Sequence, residues 1–271
     1  MSEKRVSSWS GHGSTELRER WGREDVHLYG AVSSTNEVAR RRADEEDAPS
    51  GTIVLAREQT AGRGRGERRW HSPPGGLYLS MVFRPGRVEN PAILPVLAGL
   101  GVVRELDRAW PELDAGLKWP NDLLSGDAKL GGVLSEGAWD EQEGLRFLVV
   151  GVGVNVRPLA DGLPEQLRER AVSMDEALDG ETPLVEVADA VVDGLEAYLP
   201  DAPSRMDART LDLVDRFDRL RDRRVDVKLP GEEEALPGAC VGIAPDGKLL
   251  FRPDRGALRR LAHGEVEAVR P

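Results

Sequence analysis

The sequence predicts an α+β protein in which a larger sheet-and-helix domain precedes a small β-barrel. Three observations carry this. Between Val26 and Arg223, short apolar runs rich in β-branched residues alternate with longer segments of helical period. From Arg224 the helical segments stop, and short strand-like runs are separated by Pro-Gly, Asp-Gly and Asp-Arg-Gly turns. The segment Gln59 to Pro74, rich in glycine and arginine, lies between two apolar strands and is too long and polar for a hairpin turn. The expected division is a flexible leader over 1–25, a main domain over 26–223 and a C-terminal domain over 224–271.

Taken in order, residues Met1 to Asp25 are rich in Ser, Gly, Glu and Arg without a clear period, hence the expectation of a loose leader. Val26 to Tyr29 reads as a strand. Ser33, Ser34 and Asn36 offer N-caps for a helix through Glu37 to Arg40, which the acidic stretch Asp44 to Asp47 and Pro49-Ser50-Gly51 end. Thr52 to Ala56 is a strand, and so is Gly76 to Arg84, with Leu77, Leu79, Met81 and Phe83 alternating to one face. Ile93 to Trp110 is apolar on most sides and reads as a buried helix. Gly116 to Trp119 and Gly131 to Glu136 flank an expected turn through Asn121 to Asp127. Phe147 to Val156 is a strand, and helices follow near Leu184 to Tyr198 and Arg209 to Arg221. Val225 to Leu229, Ala239 to Ile243, Lys248 to Phe251 and Leu258 to Leu261 are the strand candidates of the barrel.

Composition narrows the function classes. Hydrophobic residues are 39% of the chain, charged residues 31%, and the formal net charge is -11. So acidic a chain is a poor general binder of nucleic acid. Its single cysteine, Cys240, excludes an internal disulfide and a thiolate zinc cluster. The first residues lack the apolar stretch of a signal peptide, and no run reaches the roughly 20 apolar residues of a membrane span. The expectation is a cytoplasmic protein with no membrane partner.

Four segments carry possible chemistry. In Glu58 to Trp70, glycines permit close backbone approach, arginines offer forked donors for phosphate or carboxylate, and Trp70 can stack on a flat ring. A solvated basic loop is the plain alternative. A dinucleotide fingerprint fails, because Glu67 and Val156 stand where a third glycine is required. Lys118-Trp119-Pro120-Asn121-Asp122, followed by Lys129, makes a tight turn whose lysines and Asp122 suit ATP phosphates and a magnesium ion; a structural turn explains it too. In Val150 to Val156, glycines alternate with β-branched residues, which leaves room for a ligand or for close sheet packing. Ser33-Ser34-Thr35-Asn36 is a helix N-terminus that could also hold a polar group.

In this order, the Gly62-Arg63-Gly64-Arg65 loop leading to Trp70, the Lys-Trp-Pro-Asn-Asp run and Gly151-Val152-Gly153-Val154-Asn155 resemble biotin protein ligases, from about Leu28 to the end of the chain. The resemblance implies a mixed sheet with helices, like that of class II aminoacyl-tRNA synthetases, joined to an SH3-like barrel. It implies that biotin and ATP form biotinyl-5′-AMP, with Mg2+, and that biotin then passes to a lysine of a biotin carboxyl carrier domain. By the same resemblance Ser34, Thr35, Asn36 and Gln59 face biotin, and Gly132 and Gly151 line its slot. Arg63, Gly64 and Arg65 cover the carboxylate and the adenylate phosphate, Arg68 is a further loop arginine, and Lys129 stands near the reacting groups. Trp70 holds adenine, Lys118, Asn121 and Asn155 belong to the nucleotide pocket, and Asp122 is the candidate metal ligand.

Some relatives carry an N-terminal winged helix. The 27 residues before Leu28 lack a helix-turn-helix pattern, so a ligase without a DNA-binding domain is expected, as monomer or homodimer. A lipoate ligase, a biotin-responsive DNA regulator and a non-catalytic binding module are the competing readings. The paired Gly-Arg-Gly-Arg and Trp-Pro-Asn-Asp runs oppose the first, the acidic charge the second, and retention of Lys129 with the loop arginines the third.

Overall fold

A computed structural model describes residues 3–66, 68–86, 88–140, 144–158 and 168–270. Its main sheet uses β1 (Lys4–Arg5), β4 (Val26–Val32), β5 (Ile53–Gln59), β6 (Leu77–Phe83), β7 (Ala115–Lys118), β8 (Asp122–Ser125), β9 (Ala128–Asp140) and β10 (Gly144–Val154). The strand order is β1-β4-β5-β6-β10-β9-β8-β7. Among the strands of the described residues, only β4 and β5 pair in parallel. A parallel pair needs a crossover, and helix α2 (Thr35–Glu45) supplies it.

Each face of this sheet is covered. Beneath α2, Val38, Ala39 and Ala43 pack on Tyr29, Val54, Val82, Phe147 and Val149. On the other face lie α3 (Leu94–Ala109) and α5 (Leu184–Glu196), with the short α4 (Met174–Leu178) and α6 (Ala208–Phe217) beside them. Helices α3 and α5 cross at glycines: a Cβ on Gly101 would sit 1.9 Å from the Gly194 carbonyl oxygen. Because both faces are covered, all seven residues of β6 are buried, where the sequence suggested one buried face. Leu77, Leu79, Met81 and Phe83 do share one face, in the larger core.

Two sequence expectations are corrected. The leader, expected to be loose over 1–25, is built into regular elements between Lys4 and Trp21. It forms β1, the hairpin β2 (Ser8–Trp9) and β3 (His12–Gly13), and α1 (Ser14–Trp21). Trp9, Leu17 and Trp21 enter the main core, at 1%, 0% and 8% exposure. Arg20 grips Asp189 of α5 through two bonds, and the Trp21 indole N–H donates to the same carboxylate at 2.8 Å. With two buried residues in an eight-residue helix of otherwise polar sequence, no period was visible. The expected turn through Asn121 to Asp127 contains a strand, β8, so Lys118 to Lys129 forms two successive hairpins. Leu123 and Leu124 are buried there, in too short a run to register as a strand.

The C-terminal part is a five-stranded antiparallel sheet in the order β14 (Arg259–Leu261), β13 (Leu249–Pro253), β12 (Leu236–Ile243), β11 (Arg224–Lys228), β15 (Glu265–Arg270). Strand β15 was not foreseen. Val225, Val227, Cys240, Leu249 and Phe251 join the main core. The Trp119 indole N–H donates to the Gly247 carbonyl at 2.9 Å, and the Asn90 amide to the Asp246 carbonyl at 2.9 Å. These bonds hold the small sheet against the open end of the large one.

Asp218 lies at this junction, following α6 and beside Cys240. Its Oδ1 accepts from the Leu220 N–H at 2.9 Å, while Oδ2 is buried without a partner. Burial pushes its pKa up to about 6, with the Asp215 charge adding to the effect. The protonated group favours the fold, and that contribution is lost as pH rises through the folded pKa. Between pH 4 and 7, Asp218→Asn should gain up to about 3 kcal/mol relative to the parent in urea unfolding; equal pH slopes would contradict a buried ionisation. Trp9→Ala should cost about 3–5 kcal/mol in the same assay, as expected of a core aromatic and not of a loose leader.

Candidate active site

The floor of the site is a strand with two bare positions. Along β10, Val152 and Val154 point into the core, so Gly151 and Gly153 face the other way. A Cβ on Gly151 would lie 2.0 Å from Asn36 Oδ1, and one on Gly153 would lie 2.5 Å from Trp70 Nε1. The glycines therefore let one amide and one indole rest directly on the backbone.

Asn36 sits in the first turn of α2 and is 3% exposed. The Ser80 hydroxyl is 2.7 Å from its Oδ1, and its Nδ2 donates to Glu136 at 2.7 Å and to the Leu134 carbonyl at 3.2 Å. Ser34 is the N-cap, but its side chain makes no capping bond. Instead Gln59 Oε1 accepts from the Thr35 N–H at 2.8 Å, while Gln59 Nε2 donates to Ser72 at 2.8 Å. A neutral, hydrogen-bonding slot results, with most of its groups braced from behind.

The arginine-rich loop arches over this slot. The Gly64 N–H donates to Arg68 O at 2.8 Å and the Trp70 N–H to Gly62 O at 2.9 Å. A Cβ on Gly62 would meet the Trp70 carbonyl oxygen at 2.5 Å, so the arch needs glycine there. Arg63 donates to Glu136 at 2.8 Å. Arg65 donates to the Gly264 carbonyl at 2.8 Å and lies over Trp119, 5.9 Å from the ring centre. Arg68 pairs with Glu265. The loop thus ties down both to β9 and to the C-terminal sheet, enclosing a cleft of about 680 Å³.

The far end of the cleft is cationic. Lys129 Nζ donates to Asp122 at 2.6 Å and stands 5.6 Å from the centre of the Trp70 ring. Burial lowers the pKa of Lys118; Asp122 opposes this, and Lys129, Arg68 and Arg170 add to it. Burial likewise lowers that of Arg65, with Arg68 adding to the effect. Crowded, partly desolvated cations are stabilised by an arriving anion. A flat ring over bare backbone, with cations beyond it, suits a nucleotide; the neutral slot suits a polar but uncharged group.

Ser34, Thr35, Asn36, Gln59, Arg63, Gly64, Arg65 and Arg68 all line this one cleft, as do Trp70, Lys118, Asn121, Asp122, Lys129, Gly132 and Gly151. Asn155 does not. Its amide donates to the carbonyls of Lys129 at 3.4 Å and Val172 at 3.2 Å, holding the start of β9 from behind. Asp122, the candidate metal ligand, lines the cleft with its carboxylate accepting from Lys129 Nζ at 2.6 Å. Sequence reasoning missed the wall made by Lys228 to Glu232 and Gly264 to Val266. Its only signal was the Pro230-Gly231 turn, which marks a bend without saying what it faces. Glu136 was passed over because its partners, Asn36 and Arg63, are distant in sequence.

Comparison with known proteins agrees with this geometry. A model of the biotin/lipoate A/B protein ligase family matches residues 29–155. The chain is 36% identical over 148 residues to the bifunctional ligase/repressor BirA of Bacillus subtilis, covering 54% of this chain and 45% of that one. It therefore spans just under half the length of that relative. It is 32% identical over 237 residues to the biotin–[acetyl-CoA-carboxylase] ligase of Mycobacterium tuberculosis, covering 83% of this chain and 80% of that one. The biotin protein ligase from Aquifex aeolicus in complex with biotin and ATP superposes with a TM-score of 0.74 at 28% identity, covering 91% of this chain and 99% of that one. By fold, site and sequence, the chain belongs to the biotin/lipoate A/B protein ligase family and, within it, resembles the biotin protein ligases.

Proposed function

We propose that this chain activates biotin with ATP and transfers it to a lysine of a biotin carboxyl carrier domain. The observation that carries the reading is a single cleft in which a neutral slot around Asn36 runs into a cationic end across Trp70. Biotin combines an uncharged ureido ring with a carboxylate, and ATP brings a flat base and a polyphosphate. A carboxylate oxygen of biotin attacks the α-phosphorus, and the bond to pyrophosphate breaks. The two anions repel each other, so Arg63, Arg65, Arg68 and Lys129 serve by neutralising them and the charge that builds at phosphorus. The acceptor amine then attacks the acyl carbon, and AMP leaves. Lys118, Asn121 and Trp70 hold the nucleotide; Asn155 acts by supporting Lys129. Magnesium belongs with the phosphates of ATP, and Asp122, which accepts from Lys129, is the candidate protein ligand beside it.

The same reading takes 26–223 as the catalytic domain and 224–271 as an SH3-like domain whose edge walls the cleft. The protein works in the cytoplasm, as a monomer or homodimer, without binding nucleic acid. Among the described residues no helix is long and apolar enough to cross a membrane.

Biotin-dependent exchange of labelled pyrophosphate into ATP tests the first half-reaction, with lipoate and octanoate as controls. Exchange with biotin alone is expected; exchange with lipoate instead, or with none of the three, would overturn the reading. Gly151→Ala drives a methyl into the Asn36 amide. It should weaken biotin binding about a hundredfold, the scale of an ångström-sized misplacement, with the fold intact. Arg65→Gly removes the bond to Gly264 and the contact with Trp119. It should let the adenylate escape, giving labelling of unrelated lysines; an unchanged adenylate lifetime would refute that role.

A further inference from the structure

The Glu136 carboxylate sits between two groups of the slot that come from different parts of the chain. Its Oε2 accepts from Asn36 Nδ2 at 2.7 Å and from Arg63 Nη2 at 2.8 Å. Asn36 belongs to the buried floor, Arg63 to the arch above it, and Glu136 to β9, where it pairs with Val149. The carboxylate is itself largely sheltered, at 22% exposure, while the arginine is 43% exposed.

We propose that Glu136 is a positioning residue that, with the Leu134 carbonyl, holds the polarity of the Asn36 amide and docks Arg63 against it, so that biotin slot and loop are arranged together. This rests on the ligase reading above. A carboxamide presents an oxygen on one side and an NH2 on the other, and what surrounds it decides which is which. Ser80 can donate or accept and does not decide. An ionised Glu136 can only accept, as can the Leu134 carbonyl at 3.2 Å from the same nitrogen, so together they turn the NH2 of Asn36 toward β9 and Oδ1 toward Ser80, with Glu136 the shorter and charged partner. The same charge anchors one nitrogen of Arg63 and leaves the rest of its five N–H donors for a ligand. Gly151 leaves the room this placement of Asn36 needs, since a Cβ there would strike Oδ1.

Glu136→Gln is nearly isosteric but offers an NH2 as readily as an oxygen. Asn36 then keeps only the longer bond to the Leu134 carbonyl to orient its amide, so the amide is held less firmly, and Arg63 loses its charged anchor. Calorimetric titration of the full chain with biotin, and pyrophosphate exchange at varied biotin and varied ATP, should be run on the parent, Glu136→Gln, Glu136→Ala, Arg63→Ala and the Arg63→Ala/Glu136→Gln double variant. Glu136→Gln is expected to raise the Kd and KM for biotin about tenfold, the size of one lost hydrogen bond to a charged group. The KM for ATP should stay within about twofold, and the effect should shrink in the Arg63→Ala background, because interacting residues are not additive. Parent-like biotin affinity, equal losses for biotin and ATP, or full additivity would overturn the proposal. A parent that binds biotin but exchanges no pyrophosphate would refute adenylation and leave Glu136 to be judged on Kd alone. A parent that binds no biotin would refute both. Thermal unfolding of Glu136→Ala beside Glu136→Gln separates loss of fold from loss of positioning.

Discussion

The absence of side chains at Gly151 and Gly153 is the constraint on which the site depends. Both lie on the same face of β10, between β6 and β9 in the middle of the large sheet. A side chain at either position would displace Asn36 or Trp70. Asn36 is fixed by the first turn of α2, and Trp70 closes the base of the arginine-rich arch. One strand therefore sets the depth of the slot, the height of the loop and the separation between the neutral and cationic ends. The helices α3 and α5 cover the other face of the sheet, and their own glycine contact at Gly101 and Gly194 lets them pack closely.

Electrostatics gives the cleft its direction. The chain is acidic overall, at -11, yet its cleft gathers Arg63, Arg65, Arg68, Lys118 and Lys129. Three of these are held by carboxylates of the protein: Arg63 by Glu136, Arg68 by Glu265 and Lys129 by Asp122. Such pairs are partly exposed and individually weak. They keep the cations in place without neutralising them so strongly that a substrate carboxylate or phosphate could not compete. Glu265 belongs to the C-terminal sheet, so the arch bears on both parts of the chain.

Much of this was legible before any coordinates. The four segments that carry chemistry announced themselves by residue type and spacing, and all the site residues named from them except Asn155 line one cleft. The main strands and helices followed from periodicity. What escaped notice depends on contacts between residues far apart in sequence. The first 25 residues were taken for a loose leader because Trp9, Leu17 and Trp21 are buried one at a time among charged neighbours. Strand β8 hid between two turn formers. Asn155, assigned to the nucleotide pocket by resemblance, does not line the cleft and donates to the Lys129 and Val172 carbonyls. The C-terminal wall of the cleft was invisible, since Gly264 and Glu265 matter only through their contact with Arg65 and Arg68, some 200 residues earlier.

The central claim is that this cleft joins biotin to AMP and keeps the product. Native mass spectrometry of the protein after incubation with biotin and magnesium ATP tests it directly. The account requires a non-covalent complex whose added mass is that of biotinyl-5′-AMP, dispersed when purified biotin carboxyl carrier domain is supplied. Biotin and ATP bound side by side but unjoined, after an incubation long enough for turnover, would contradict it.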